Sequence, residues 1–203
     1  GNIVDRNGVV LAGNRMGFNV VLDKNFLPDD YLAIVLQIKK IMAEKEEKIT
    51  DSLPITYGGA NFLFEEGRED DVAKLKTKLG LQSYATIDDV MAALISRYQL
   101  EQYTGYDLRT LAGVCYDMQL REFSNYTTFT LATDVSMDTV TKIKENSMFL
   151  PGVTISEETV RTYPQGDLAA QVIGVTGLMD SDEWAVYKEK GGYSLSDYVG
   201  KFG

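Results

Sequence analysis

The sequence predicts an α+β fold in which strands from both ends of the chain form a β platform and a mainly helical lobe is inserted between them. Two patterns predict this arrangement. Near each end, apolar residues alternate with polar ones as in half-buried strands, whereas in the middle they recur at helical spacing. The expected boundaries place residues 1–24 and 153–203 in a discontinuous platform and residues 25–152 in the lobe.

The start of the chain predicts a β-hairpin followed by a third strand. Asn7-Gly8 stands between two apolar runs, and this dipeptide favours the tight turn of a hairpin because both residues tolerate a positive φ. Phe18, Val20 and Leu22 then alternate with their neighbours, which indicates another strand.

The middle of the chain predicts four longer helices, in addition to a short one described below. Pro28 opens the first, and Asp29 and Asp30 favour its positive end. The second is expected over about 69–79, before Gly80, and the third after the capping-box-like sequence of residues 86–89. The fourth is expected over about 107–123, and its apolar face places Cys115 in the core as a structural thiol.

Shorter elements are expected around these helices. The acidic run of residues 65–71 lacks the spacing of a calcium loop and is interpreted as a solvated helix start. Residues 53–59 are expected to form a loop, 61–64 a short strand and 126–132 a longer one. Ser136 is expected to cap a short helix that ends near Lys144.

The end of the chain predicts a return to extended structure after the break at Pro151-Gly152. Pro164 keeps Tyr163 out of the helical region, and Gly166 permits a tight reversal. A short helix over residues 168–173 is expected to stop at Gly174, and Gly177 to supply another turn. A helix over about 181–190, which carries Trp184, and a helical turn at 196–199 complete the prediction.

Composition indicates a globular protein and narrows its chemistry. The 203 residues are 44% apolar and carry a net charge of −10, which argues against nucleic acid or an anionic membrane surface as the main partner. The sequence has no histidine, which removes Ser-His-Asp and Cys-His catalysis and most zinc sites. We therefore expect no catalytic residue, metal site or cofactor in this chain.

Three motifs, taken together, resemble one protein family. They are Gly-x-Ile-x-Asp5-Arg6-Asn-Gly8-x-x-Leu-Ala at the start, Arg161-x-Tyr163-Pro164-x-Gly166-x-Leu-Ala-Ala in the last quarter, and Tyr-Val-Gly200-Lys-x-Gly at the end. In this order they are similar to the N-terminal, non-catalytic region of class B penicillin-binding proteins, called the dimerisation or pedestal domain. The resemblance brackets almost the whole chain, and it includes the glycines Gly174 and Gly177 that follow the second motif.

The resemblance implies a parent protein with several parts. It implies one membrane helix upstream, this region outside the bacterial membrane as an excised fragment, and a penicillin-sensitive serine transpeptidase domain downstream. The Ser-x-x-Lys, Ser-x-Asn and Lys-Thr-Gly motifs of that chemistry do not occur in these residues. The implied partners are a membrane glycan polymerase of the SEDS family and other cell-wall synthesis proteins. The family label also implies a homodimer, although nothing in the sequence shows self-association.

Two hypotheses locate these roles on the chain. Arg6 or Arg161 is expected to join the first strand to the later platform strands by a charge-assisted bond to a carboxylate or to backbone carbonyls. The lobe of residues 25–152 is the expected docking surface for the polymerase, because its motifs are the least specific to the family.

Two alternatives from other functional classes stay open. A stand-alone extracellular module could bind glycan or peptide through its tyrosines, of which the chain has 12. An acidic hydrolase could use a carboxylate pair such as Glu157 and Glu158, but in so acidic a chain adjacent carboxylates are expected without any catalytic role.

Overall fold

A computed structural model describes residues 2–165 and the backbone of residues 175–178 and 198–202. Gly166, Gly174, the predicted helix over 168–173 and the predicted helix around Trp184 lie outside the described residues. The chain divides into two compact units, Gly1–Met16 with Thr159–Gly203, and Gly17–Glu158. The domain boundaries expected from the sequence stay a prediction.

The described elements mix strands and helices, so the α+β prediction is confirmed. The strands are β1 (Ile3–Val4), β2 (Val10–Leu22), β3 (Ile55–Tyr57), β4 (Phe62–Phe64), β5 (Phe129–Ala132), β6 (Val153–Thr162), β7 (Val175–Leu178) and β8 (Tyr198–Phe202). The helices are α1 (Tyr31–Ala43), α2 (Glu69–Leu79), α3 (Ile87–Tyr98), α4 (Gly105–Leu120) and α5 (Met137–Glu145), followed by a 3-10 turn over Ser147–Phe149.

Strand β2 organises the sheet pairing. Within the first unit it pairs antiparallel with β1, with Ile3 opposite Ala12. Within the second it pairs antiparallel with β5, with Leu22 opposite Phe129, and β6 also pairs with β2. The other described strands form two-stranded antiparallel sheets, β3 with β4 and β7 with β8.

The core of the second unit is built around α4. Every residue from Leu111 to Met118 is buried, so this helix contacts protein on all sides instead of along one stripe. Around it pack the apolar faces of the other helices and strands, including Ile38, Leu75, Leu94, Phe129 and Val140. Burial of these side chains away from water is the main favourable term in the folding of this unit.

Helix boundaries agree closely with the sequence predictions where capping residues are present. Thr86 forms a capping box with Asp89 at the start of α3, and the Ser136 side chain accepts a hydrogen bond from the Thr139 amide at the start of α5. Gly80 ends α2 with a φ of +76°, a conformation that favours glycine.

Several predictions for the strands are only partly right. Phe18, Val20 and Leu22 lie in a strand as predicted, but it is the second half of one 13-residue strand, β2, and not a separate third strand. The expected loop over 53–59 contains β3, which was missed because three residues carry too little periodicity. The strand expected over 126–132 begins only at Phe129, and Tyr126 is fully exposed.

The end of the chain also differs from its prediction. Gly177, expected in a turn, lies inside β7 opposite Val199, and Gly200 lies in β8 opposite Thr176. The helical turn expected at residues 196–199 is therefore wrong for Tyr198 and Val199. A glycine inside a strand allows a close approach of backbones, which the sequence pattern does not distinguish from a turn.

Candidate interaction surfaces

The Asp5 carboxylate organises the first hairpin. Its Oδ1 accepts hydrogen bonds from the Asn7 and Val9 amides, each at 2.8 Å. The Asp5 amide donates to the Val9 carbonyl at 2.9 Å, and Gly8 adopts a φ of +83°. The first motif is thus a turn-forming unit, in which the aspartate satisfies backbone groups that the turn leaves unpaired.

The two arginines of the motifs have different surroundings. Arg6 is exposed, and no described residue forms a hydrogen bond or ion pair with it. The half-buried Arg161 donates from Nη1 to the Asn14 Oδ1 at 2.9 Å, which joins β6 to β2 within the first unit. Tyr163 is about half exposed, and Pro164 lies in an exposed turn.

In the second unit, Arg109 has a structural role that the sequence analysis did not predict. Arg109, on α4, forms an ion pair with Asp51 at 3.0 Å, and both side chains are about 15% exposed (16% and 14%). The same guanidinium donates to the backbone carbonyls of Leu53 and Ile55. It therefore fastens the segment leading into β3 onto the central helix with several charge-assisted bonds.

Further contacts between α4 and the segment leading into β3 complete this attachment. We call the five residues that form it the α4 staple (Asp51, Ser52, Arg109, Gly113 and Asp117). Arg109, Gly113 and Asp117 are four residues apart and so lie on one face of the helix. The buried Asp117 Oδ1 accepts hydrogen bonds from the amide and hydroxyl of Ser52. An added Cβ at Gly113 would lie only 2.5 Å from the Asp51 Cγ and 2.7 Å from the Arg109 Nη1, so a larger residue here would have to displace this ion pair.

The spacing of the α4 staple is the signal that could have revealed it. An arginine, a glycine and an aspartate at intervals of four, inside a helix whose other residues are mostly apolar, indicate a polar face that contacts backbone. The partners Asp51 and Ser52 carry no such signal, because they are 58 and 65 positions away from the residues they bind.

A groove between β4 and α2 lies on the surface of the second unit. It encloses about 500 Å³, with Phe64, Val72 and Leu81 among the side chains that line it. Glu65, Glu66 and Glu69 also line it, together with Lys76. The Lys76 Nζ lies 5.1 Å from the centre of the Phe64 ring and donates to the Ser83 carbonyl at 2.8 Å. We call this the β4–α2 groove; the sequence analysis had treated its acidic residues only as a solvated helix start.

A second cavity, of about 470 Å³, lies between α1, α3 and α4 and contains the thiol of Cys115. Burial raises the pKa of the Cys115 thiol to about 12, and it raises the pKa of the neighbouring Tyr31 and Tyr98 hydroxyls to about 12 as well. The thiol is therefore protonated at neutral pH and is not an activated nucleophile.

Metal-binding clusters and membrane-spanning helices would each bear on function. Within the described residues, no group of three or more histidine, cysteine or acidic side chains is arranged to hold a metal ion. Among the same residues, no helix is both long enough and apolar enough to span a bilayer.

Comparison with known proteins gives one match to a family and several to solved structures. The model of the penicillin-binding protein dimerisation domain family matches residues 1–203. Comparison with curated protein sequences gave no match.

Among the solved structures, penicillin-binding protein 2b from Streptococcus pneumoniae (strain 5204) aligns over 99% of this chain and 32% of its own, with 22% identity and a TM-score of 0.46. A complex between penicillin-binding protein PBP2 and MreC from Helicobacter pylori aligns over 99% of this chain and 25% of its own, with 18% identity and a TM-score of 0.46. The chain thus spans less than a third of the length of either structure.

Proposed function

Since the chain belongs to the penicillin-binding protein dimerisation domain family, we propose that it is the non-catalytic pedestal and interaction domain of a class B penicillin-binding protein. In this role it positions a downstream serine D,D-transpeptidase domain for peptidoglycan cross-linking, on the extracytoplasmic side of a membrane to which an upstream helix anchors the parent protein. The observation that carries the proposal is the family match over all 203 residues.

The described chemistry supports a structural role over a catalytic one. The thiol of Cys115 is buried with a raised pKa, and the Arg109 and Asp51 side chains pair with each other. The Asp5 carboxylate is occupied by backbone amides of its own turn. These groups therefore stabilise local structure and are not free to act on a substrate.

We further propose that the lobe of residues 25–152 docks a SEDS-family glycan polymerase or another cell-wall synthesis protein. The second unit has a large apolar core and carries exposed apolar side chains on its surface, such as Phe26, Tyr84 and Tyr126. A unit with a large core and exposed aromatic residues is a suitable platform for protein–protein contacts.

The first test is the coding sequence on either side of this chain. A membrane-spanning segment upstream and a Ser-x-x-Lys motif downstream are the expected result. A stop codon directly after the chain, with no span upstream, would overturn the proposal in favour of a stand-alone extracellular binding module.

The second test is co-purification of the parent protein with the SEDS polymerase of the same organism from detergent-solubilised membranes. Charge reversals on the exposed faces of the lobe should reduce the amount of polymerase recovered. Substitution of the transpeptidase serine is the control and should leave recovery unchanged. Full recovery with every lobe variant would contradict docking by the lobe.

A further inference from the structure

The β4–α2 groove combines an apolar base with a negatively charged edge. Phe64 and Leu81 are half-buried and pack against the core, so their positions are fixed before any ligand arrives. Val72, at 9% exposure, lies deeper, whereas Ala73 on the same helix is exposed at the groove. A volume of about 500 Å³ is in the range that takes a drug-sized ligand, and so would hold large apolar side chains.

Only part of the negative charge at the groove is neutralised within the described residues. Glu65 forms an ion pair with Arg68 at 2.7 Å. Glu66 and Glu69 are exposed and form no ion pair in the described part of the chain; Glu69 accepts only a hydrogen bond from the Gly67 amide at 3.1 Å. The Lys76 ammonium also lines the groove, where it lies over the Phe64 ring and donates to the Ser83 carbonyl, and it forms no ion pair with these glutamates within the described residues.

Stabilisation of the α2 dipole does not account for all of these acidic residues. Glu69, Asp70 and Asp71 lie in the first turn of α2, where negative charge is favourable. Glu66 precedes the N-cap residue Arg68 by two positions and therefore lies outside that turn. Its contribution to the groove is a negative charge at the edge of an apolar depression.

We propose that the β4–α2 groove binds a basic amphipathic segment of a protein partner. A leucine or phenylalanine of that segment would lie over Phe64, Val72 and Leu81, and flanking lysines or arginines would face Glu66 and Glu69. Apolar burial supplies the affinity, and charge complementarity supplies the selectivity and the rate of association. This inference rests on the proposed function, because it assigns a docking surface and a partner chemistry to the interaction domain.

The test uses the purified 203-residue chain and two fluorescent synthetic peptides. In one peptide, lysine and arginine flank a leucine and a phenylalanine; in the other, glutamate replaces each cation. Fluorescence anisotropy should show the basic peptide binding at least about tenfold more tightly at low ionic strength, and less tightly as salt is added. Equal binding of the two peptides would overturn the proposal.

Variants of the groove make the test specific. Glu66→Lys/Glu69→Lys reverses the charge at the edge, and Ala73→Trp fills the groove from an exposed position on α2. Each should weaken binding of the basic peptide by about tenfold or more. The matched control is Glu101→Lys/Glu145→Lys, which changes the net charge equally at two exposed sites outside the groove and should stay within about twofold of the wild type.

Two outcomes would contradict the groove as the site. Weakening by the control as large as that by Glu66→Lys/Glu69→Lys would indicate attraction by the overall charge, and unchanged binding by a folded Ala73→Trp would indicate another site. Thermal unfolding of each variant shows whether it is folded. If Ala73→Trp alone is misfolded, the comparison of Glu66→Lys/Glu69→Lys with Glu101→Lys/Glu145→Lys decides whether the groove is the binding site.

The same variants separate this inference from the proposed function. In the co-purification assay, unchanged recovery of the polymerase with Ala73→Trp would leave the interaction domain intact and remove the groove as its docking site. Failure of the wild-type parent protein to recover any polymerase would count against the proposed function, whereas the peptide titration would still report on the groove.

Discussion

The motif-bearing hairpin and the helical unit differ in where their specific sequence signals lie. In the hairpin, the motif residues Asp5 and Gly8 shape a turn, and Ile3, Val4 and Val9 are 40–51% exposed. In the unit of residues 17–158, the side chains that hold the structure together are buried and carry no family motif. The motif residues of the hairpin therefore set the backbone conformation of a turn. The stability of the helical unit depends instead on buried side chains that lie outside the motifs.

The arginines make this difference measurable. Arg6 belongs to a motif, yet it is exposed and no described residue forms a hydrogen bond or ion pair with it. Arg109 belongs to no motif, and its guanidinium binds a largely buried carboxylate and two carbonyls. Bonds of an arginine to a buried carboxylate are worth more than surface contacts, because removing one partner leaves the other unpaired away from water.

The largest expected effect is that of Arg109→Ala. It leaves the largely buried Asp51 carboxylate without its cationic partner, with only the Leu53 amide still donating to it, and it removes the guanidinium from the carbonyls of Leu53 and Ile55. The free energy of unfolding should therefore fall by about 3 kcal/mol. Urea denaturation followed by circular dichroism measures this loss. The comparison variant is Arg6→Ala, for which we expect no measurable change, because Arg6 is exposed and no described residue pairs with it. Equal losses for the two arginines would contradict the difference between the two regions.

The second prediction is that Gly113→Ala destabilises the protein, which is the opposite of what helix propensity alone predicts. Alanine is favoured over glycine inside a helix by about 1 kcal/mol, so sequence alone predicts that Gly113→Ala stabilises α4. Its Cβ, however, would lie 2.5 Å from the Asp51 Cγ and 2.7 Å from the Arg109 Nη1. Overpacking of this kind costs about 1–3 kcal/mol, and we expect a net loss of about 2 kcal/mol.

A glycine without near neighbours is the control for this variant. An added Cβ at Gly58 would meet nothing within 4 Å, so Gly58→Ala should leave the melting temperature close to that of the wild type. A crystal structure of the Gly113→Ala variant should show the segment around Asp51 displaced from α4. A melting temperature above that of the wild type would show that the staple tolerates a side chain here.

Sequence reasoning succeeded where a local rule sets the structure. The Asn7-Gly8 turn, the capping residue Thr86 and the terminating Gly80 each act through bonds to residues within a few positions, so their effect is visible in a short window. The helical spacing of Ile34, Val35 and Ile38 in the sequence likewise agrees with their burial on α1.

The misses have a different cause. Arg109 and Asp51 are 58 positions apart, and nothing local to either indicates the other. The acidic residues Glu66 and Glu69 resemble an ordinary helix start until β4 and Leu81 are seen to form a depression beside them. Gly177 has the sequence signature of a turn but pairs within a sheet. Contacts between distant segments decide these positions, and a single sequence does not display them.

The third prediction concerns the motif hairpin itself. Asp5→Ala removes the acceptor of the Asn7 and Val9 amides, and we expect a loss of about 1 kcal/mol that is confined to the hairpin. Hydrogen exchange followed by NMR should show faster exchange of these two amides and no change for core amides such as that of Leu111. Asp5→Asn, which keeps an acceptor oxygen, is the matched control and should restore much of the protection. Faster exchange throughout the chain would show that the hairpin and the core are not energetically separate.

The smallest expected effect is a pH dependence of stability that comes from the capping box at the start of α3. It tests whether an exposed local motif contributes to stability independently of the buried interactions. Hydrogen bonds from the Thr86 amide and hydroxyl hold the pKa of Asp89 below its ordinary value. Because the folded-state pKa is the lower one, the stabilisation is fully present above the unfolded-state pKa of about 4 and is lost as the pH falls through the folded-state value.

Asp89→Asn should therefore destabilise the protein slightly near neutral pH, and its difference from the wild type should shrink as the pH falls below about 4. The measurement is the difference between the urea midpoints of the two proteins at each pH. The other carboxylates titrate in both proteins, so their contribution cancels in this difference. Asp88→Asn is the control, since it removes a charge from the same helical turn without breaking the capping box. If both variants gave the same pH dependence, the effect would belong to the helix dipole and not to the hydrogen bonds of Asp89.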